Sequence, residues 1–493
     1  MKDKESYRQI MKATSMFGGV QVFLILIRVI RSKFIAILLG PTGMGIAGLL
    51  SSSTGLIAGL TNFGLGTSAV KDISAAHGSG NETRVSTVAT VIRRLVWITG
   101  LLGAFLTLVF SSWLSELTFG NEEYTFAFIW ISITLLLNQI STGQSVLLRG
   151  MRKIRYMAQA STIGSVLGLI TTIPLYYFYG INGIVPGIIV TSVTSLLLTW
   201  YYSNKIVVKP VYVSKARTIA EGKGMLKMGF MISLSSLIAI GASYIVRIFI
   251  SNTGGIDQVG LYNAGFAIIN SYVGMIFTAM TTDYFPRLAA VAKSNEQSKL
   301  VINQQAEIAL LILAPVIMIF LVFINWVVII LYSTKFIAIN DMIIWAIMGI
   351  FFKAASWTIA FIFLAKGATK MFFWNELIFN IYLLSFNLVG YYFWGLAGLG
   401  ISFMVAYIIY LIQVYVVANK YYDFSFSIGF YKIFILQLML AIGCLSLVKL
   451  LGDPYSYIFG SLIIIISSLY AYKELDKRMD IKSIFAGIKK KFK

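Results

Sequence analysis

One cysteine and one histidine are all that the 493 residues contain. Cys444 alone excludes an intrachain disulfide, and His77 alone excludes a multi-histidine metal site. A mixed cysteine–histidine site is not expected either, so the sequence calls for no metal and no other cofactor. Acidic residues are scarce as well, 19 against 40 lysines and arginines, and charged residues make up only 12% of the chain. With 58% hydrophobic residues and a mean hydropathy of +0.83, such a chain could not keep a water-soluble surface. The expected class is an all-α polytopic membrane protein. In that class a net charge of +21 is largely topology signal, and no nucleic-acid partner is expected. No cleavable signal peptide is expected: Met1–Lys12 is polar, and the first apolar run is too long and lacks a small-residue cleavage pattern.

A spanning helix needs roughly 20 mostly apolar residues. Fourteen windows qualify, at 15–39, 44–67, 88–110, 125–147, 157–178, 181–203, 226–251, 259–281, 304–332, 340–365, 371–393, 396–418, 430–451 and 455–472. The connections are short and leave no room for a sizeable soluble domain. Lysine and arginine sort between them. The N-terminus, the even-numbered connections with their helix ends, and the C-terminus from Lys473 onward hold 33 of the 40 cations. The odd-numbered connections hold only Lys335 and Lys449, and the third is acidic, with Glu116, Glu122 and Glu123. Cations stay on the cytoplasmic side, so both termini are expected there, with an even number of spans.

Five cations remain that topology does not explain: Arg28, Arg31, Lys33, Arg247 and Lys353. A charge at membrane depth costs about 3 kcal/mol or more unless it faces protein or a watery cavity. No acidic residue lies between Glu5 and Asp72 to neutralise the first three. An unpaired intramembrane cluster of this sign points to a polar cavity that receives an anion. Arg28 and Arg31 are three residues apart, so on a helix they share a face, about 60° and about 4.5 Å apart. Lys33 lies about 140° around from Arg28 and is the odd member, suited to pairing with another helix or reaching a headgroup. Lys353 equally suits a local pair or a buried hydrogen bond.

The chain also resembles itself. Tyr-Tyr-Phe-Tyr-Gly-Ile-Asn-Gly at 176–183 returns as Tyr-Tyr-Phe-Trp-Gly-Leu-Ala-Gly at 391–398, and the same offset of 215 carries Asn204-Lys205 onto Asn419-Lys420. Weaker matches join Gly48-Leu49 to Gly260-Leu261 and Arg149–Lys153 to Lys366–Lys370. Span 1 maps to span 7, an even shift, so the two halves run parallel, related by an axis along the membrane normal. The expected organisation is a six-helix lobe at 1–205, a linker at 206–225, a second six-helix lobe at 226–420, and two additional helices with a basic tail at 421–493. On this mapping Arg247 falls near Ile35, and Lys353 near Leu137 and Asn138.

The segment Lys33-Phe-Ile-Ala-Ile-Leu-Leu-Gly-Pro-Thr-Gly-Met-Gly-Ile-Ala-Gly48, supported by Thr282-Asp-Tyr-Phe-Pro-Arg-Leu-Ala289 and the repeat, resembles the Wzx-type flippases. These are the O-antigen and lipid III translocases of the multidrug/oligosaccharidyl-lipid/polysaccharide exporter superfamily. The resemblance covers spans 1 to 12. It implies a non-enzymatic carrier of the bacterial inner membrane that moves an undecaprenyl-pyrophosphate-linked oligosaccharide from the cytoplasmic to the periplasmic leaflet by alternating access. It also implies membrane lipid as a partner, with a polysaccharide polymerase and a chain-length regulator as candidates. Arginine suits such a headgroup because its planar fork binds phosphate oxygens in pairs.

Candidate gate residues follow. Gly40, Pro41 and Gly43 surround the first external turn, where a hinge and plain tight-turn chemistry are equal readings. Asp72 and Asp283 lie at the cytoplasmic ends of spans 2 and 8, with Glu307 and Glu376 at the starts of spans 9 and 11. Each is a gate carboxylate or a proton site in one reading and a solvated helix-end charge in the plainer one. Coupling to a proton or sodium is open, with no residue assigned. The rivals are a peptidoglycan-precursor lipid flippase, a cation-coupled multidrug exporter, and a membrane glycosyltransferase or polymerase. The sign of the intramembrane charge opposes the exporter. The lack of a catalytic external loop opposes the transferase.

Overall fold

The computed structural model describes residues 20, 23–209, 211–452 and 454–479. Of the cations that supported the placement of both termini, those of the N-terminal tail and those from Lys482 onward lie outside these residues. All regular structure among the described residues is helical. Among the described residues, eleven helical stretches are long and apolar enough to cross a bilayer. Two of them, Ile154–Asn204 and Thr369–Tyr422, each break at a glycine into two helices of spanning length. The first helix, described over 23–38, stands where the remaining expected span lies.

The chain forms two compact units. The first is Met1–Asn263 with Leu331–Ser333. It contains α1 (23–38), α2 (Gly40–Thr61), α3 (Leu65–Gly78), α4 (Glu82–Val109), α5 (Ser111–Phe119), α6 (Thr125–Gly150), α7 (Ile154–Tyr179), α8 (Ile184–Asn204), α9 (Lys215–Gly254) and the start of α10 (Ile256–Ala267). The expected single span over 44–67 is in fact two helices: Phe63 and Gly64 both have positive φ and part α2 from α3. At one end of the unit, Leu65, Ala69 and Ile73 of α3 pack with Val88, Val91 and Ile92 of α4, Val146 and Leu147 of α6, Val213 just before α9, and Met225 of α9. Farther along, interhelical hydrogen bonds join the spans: Gln139 Nε2 donates to Thr99 Oγ1 at 2.9 Å, and Ser203 Oγ to Gln144 Oε1 at 2.6 Å. In lipid, where water cannot satisfy a buried hydroxyl or amide, such bonds fix helix register. Because α9 packs on α2 and α3, this unit ends later than the repeat boundary read at 206–225.

The second unit is Ala264–Ile330 with Thr334–Lys493. It holds α11 (Gly274–Ala290), α12 (Asn295–Leu331), α13 (Asn340–Ala365), α14 (Thr369–Tyr422), α15 (Ile428–Leu450) and α16 (Tyr455–Met479). Its core gathers Tyr284 and Leu288 of α11, Ile302 of α12, Ile359 and Phe363 of α13, and Phe379, Ala406 and Tyr410 of α14. Tyr284 donates to the carbonyl of Thr358 at 2.5 Å, so this fully buried phenol is satisfied.

Backbone geometry fixes the register of the repeat. Gly180 (φ 54°, ψ −132°) and Gly395 (φ 56°, ψ −139°) share a conformation that side chains strongly disfavour. They lie 215 residues apart. The same offset pairs Gly40 with Gly255 and Arg152 with Gly367, all at positive φ. It also pairs the Lys153 N–H bond to the Leu148 carbonyl with the Ala368 N–H bond to the Phe363 carbonyl, each 2.8 Å. Two of the weaker sequence matches are thereby corrected. Gly48 corresponds to Asn263 rather than to Gly260, whose true counterpart is Gly45, and Gly150 corresponds to Ala365 rather than to Gly367. In apolar sequence a shift of two or three residues finds another glycine or leucine at little penalty, whereas a positive φ does not move.

The repeat extends beyond the twelfth span in one respect. Ser214 caps α9 by accepting from the Arg217 N–H, and Ser427 caps α15 by accepting from the Phe430 N–H. Arg94 of α4 anchors the first linker by donating to the Val213 carbonyl and Thr218 Oγ1, both at 2.7 Å. Glu307 of α12 anchors the second by accepting from Ser427 Oγ at 2.8 Å. Both the caps and the anchors are 213 residues apart, so the chain leaves each half through the same docking point.

Candidate functional site

Arg28 and Arg31 stand on α1, a helix that is otherwise apolar except for Ser32 and Lys33. Arg28 is exposed, and its Nε donates to the Leu24 carbonyl at a long 3.4 Å. Arg31 is half-buried, and its Nε is buried with no acceptor. Among the described residues neither arginine makes an ion pair. A guanidinium carries five donors, so this helix offers charge and unused donors at membrane depth. Lys33 is half-buried on the same helix and has a partner of its own.

Arg247, on α9, is held differently. Its Nε donates to Asn263 Oδ1 at 2.8 Å, its Nη1 to the Ser243 carbonyl at 3.0 Å and also to Ser243 Oγ, and its guanidinium lies 5.4 Å from the Tyr262 ring centroid. In the register fixed by the backbone it corresponds to Ser32, between Arg31 and Lys33, rather than to Ile35. Its bonds are spent inside the protein, where it ties α9 to α10.

Lys353, on α13, corresponds to Asn138 of α6. Its Nζ is surrounded by the rings of Phe277, Phe403 and Tyr407, with centroids 5.3–5.7 Å away. Such faces stabilise an ammonium by about 0.5–2 kcal/mol each, depending on desolvation. Glu376 of α14 interacts electrostatically with Lys353 and accepts from Tyr410 at 2.6 Å. Glu376 is therefore an internal carboxylate and not a solvated helix-end charge. Glu307 is likewise internal: besides Ser427 it binds Arg478 Nε of α16 at 2.8 Å, with the carboxylate only 13% exposed. Spacing hides both carboxylates, because each sits near the start of an apolar window where a free end is the ordinary expectation.

The other gate candidates separate. Asp283 is 75% exposed and pairs with Arg287 one turn on, at 2.7 Å. Asp72 is on α3, outside the spans. Burial pushes its carboxyl above the usual range, against the pull of Lys71 and Arg84 and with the support of Glu221. Glu221 is itself bridged by Arg84 at 2.5 Å and Arg217 at 3.1 Å. The charges around Asp72 thus link α3, α4 and α9.

At the other end of the first unit, Gly40 turns α1 into α2 with φ 66°, and Pro41 sits in the first turn of α2. Gly43 packs against the side chain of Leu39. Beyond them α2 crosses α10 through a contact that sequence reasoning missed. A Cβ on Gly45 would lie 2.1 Å from the Ile256 carbonyl oxygen, and one on Gly260 would lie 1.9 Å from that of Pro41. Gly45 pairs with Gly260, and Pro41 with Ile256, at the offset of 215. The contact is therefore pseudo-twofold, each repeat offering the same glycine to the same carbonyl of the other. Gly48 and Asn263, also equivalent, face each other within it.

A bundle of paired, parallel-repeated helices with cations on its first span defines a two-lobed membrane transporter. Comparison with solved structures agrees on the fold. A lipid II flippase, MurJ, in an inward closed conformation is similar with a TM-score of 0.70 and 14% identity, over 94% of this chain and 99% of that one. The profile of the family described as "Polysaccharide biosynthesis protein" matches residues 34–341. The chain belongs to that family, within the superfamily that its Lys33–Gly48 motif resembles. Its relatives include the "Putative O-antigen transporter" of Shigella flexneri, 29% identical over 390 residues, covering 76% of this chain and 90% of that protein. The "Lipid III flippase" of Escherichia coli (strain K12) is 20% identical over 396 residues, covering 77% and 90%.

Proposed function

We propose that the protein is a flippase for an undecaprenyl-pyrophosphate-linked oligosaccharide, an O-antigen or related surface-polysaccharide unit. It carries the headgroup from the cytoplasmic to the periplasmic leaflet of the bacterial inner membrane, with both termini in the cytoplasm, and makes or breaks no covalent bond. The observation that carries this reading is Arg31, a half-buried cation in a membrane helix whose Nε has no acceptor. Each sugar hydroxyl moved into hydrocarbon without a partner costs on the order of 1–7 kcal/mol. The headgroup therefore needs a polar path, while the polyprenyl tail can stay in lipid. Arg28 and Arg31 supply phosphate contacts on that path. Arg247 ties α9 to α10, Lys353 is held by the rings of α11 and α14, and Lys33 is a secondary contact. The α2–α10 crossing closes one end of the path, and its separation is the step of alternating access that opens it. Gly40 and Pro41 let α1 swing against α2. A proton is the coupling ion best suited to the interior, with Glu376 as its carboxylate. A polymerase and a chain-length regulator are the partners that would receive the product.

The likeness to a lipid II flippase over nearly the whole chain favours one second reading, a peptidoglycan-precursor substrate with the same diphosphate chemistry. Transport of labelled lipid-linked sugar into vesicles tests both. Arg28→Ala and Arg31→Ala should each lower uptake about tenfold or more while the protein still inserts, with Arg31→Lys retaining part of it. Normal uptake by both alanine variants would remove the arginines from the path. Uptake of a peptidoglycan precursor alone would select the second reading.

A further inference from the structure

The first unit contains a cleft of about 610 Å³ between α2, α6 and α8, at the end that carries the acidic third connection. Its walls are apolar, with Leu50 from α2, Phe126 and Trp130 from α6, and Ile189 from α8. Its polar lining residues are few: Glu123, Tyr124 and Asn182, with the Trp130 indole. Phe126 is 73% exposed and Trp130 64%, and the turn beside the cleft presents Tyr177, Phe178 and Tyr179, all more than 60% exposed. A cluster of exposed aromatics at a helix end marks the level of the bilayer interface. The cleft therefore meets lipid at headgroup depth.

The charge around it has one sign. There is no lysine or arginine from residue 95 to 148 or from 156 to 204, and none in α2, so every helix lining the cleft is free of cations there. Glu116, Glu122 and Glu123 share the connection above it. Among the described residues the Glu123 carboxylate makes no ion pair. An anionic diphosphate is repelled from such a rim, and an anionic phospholipid likewise. We infer that the cleft is a binding site for a zwitterionic, primary-amine phospholipid of the surrounding leaflet. One acyl chain lies along Leu50, Trp130 and Ile189, the ammonium pairs with Glu123, and the Asn182 amide donates to the phosphate. The inference takes only the membrane setting from the transporter reading, and its test involves no transport, so either can fail without the other.

The test is lipid retention by the purified full-length protein, offered equal amounts of phosphatidylethanolamine and phosphatidylglycerol with identical chains and read by native mass spectrometry. The wild type should retain the amine lipid about three- to fivefold over the glycerol lipid, the range of an exposed ion pair. Glu123→Gln, an exposed position where misfolding is not expected, should bring the ratio to about one while total lipid is kept. Ile189→Trp, which fills the cleft, should lower retention of both. Equal retention by the wild type, or a preference unchanged in Glu123→Gln, overturns the proposal. So does undecaprenyl phosphate displacing the amine lipid from the wild type but not from Ile189→Trp, since the cleft would then be a tail site.

Discussion

The two halves of this chain share their backbone and differ in their charges. Gly180 and Gly395 adopt the same rare dihedrals, Arg152 and Gly367 make the same turn, and Gly45 and Gly260 make the same close approach. Lys205 and Lys420 are repeated at the offset of 215, but the charges at membrane depth and at the linker anchors are not. Asn138 stands where Lys353 is caged, Ser32 where Arg247 is bonded, and Arg94 where Glu307 receives its linker. Helix breaks and crossings are set by sterics, which tolerate almost no substitution, so they survive duplication. A charge is tolerated wherever a partner or water meets it, so each half has acquired its own. The first half keeps a guanidinium with unused donors, while the described cations at depth in the second are occupied. The comparison teaches that the scaffold is symmetric and its buried charges are not.

Three experiments press on this contrast. The largest effect is expected at the crossing. Gly45→Val and Gly260→Val place side-chain carbon well inside the van der Waals distance of a carbonyl oxygen, and overpacking of that kind costs about 1–3 kcal/mol or more. Both should abolish surface-polysaccharide assembly to a similar degree in a complementation assay, while Gly55→Val, with nothing within 4 Å, should support it normally. A strong defect in only one of the pair would break the pseudo-twofold description. Next, Gly180→Ala and Gly395→Ala should each destabilise the detergent-purified protein by about 1–3 kcal/mol, the usual cost of a side chain in a forbidden backbone region. Matching shifts in thermal unfolding are expected, and a neutral result at either site would show that the break there can be rebuilt without glycine.

The smallest effect concerns Asp72. Its folded-state pKa is raised by burial, so the protonated form is favoured on folding. Its contribution is then fully present below the ordinary carboxylate pKa, about 3.9, and is lost as pH rises through the raised value. Asp72→Asn should flatten this part of the stability–pH curve, measured by unfolding midpoints across mildly acidic pH. An unchanged curve would assign the slope to other groups.

How much was legible beforehand depends on the kind of interaction. The expected windows fall on the helices because spanning segments answer to one local requirement, enough apolar residues in a row. The window over 44–67 fails locally, at Phe63 and Gly64, because a break of two residues leaves mean hydropathy unchanged. The motif glycines Gly40, Gly43, Gly45 and Gly48 were visible as a group. Which of them touches a carbonyl was not, since that depends on a helix more than 200 residues away. The two readings of Glu307 and Glu376 could not be separated for the same reason: their partners, Arg478 and Tyr410, are remote in sequence.

The sequence by itself determined the class of molecule, the number of spans and the existence of a parallel repeat, because hydrophobic length and duplication are properties of the chain read in order. It also determined that five cations stand apart from topology. Only the tertiary structure decided which of those cations is bonded inside the protein. An intramembrane charge is stable at any position where a partner reaches it, and whether one does, as for Arg247 but not for the Nε of Arg31, is settled by helices that meet in space rather than in sequence.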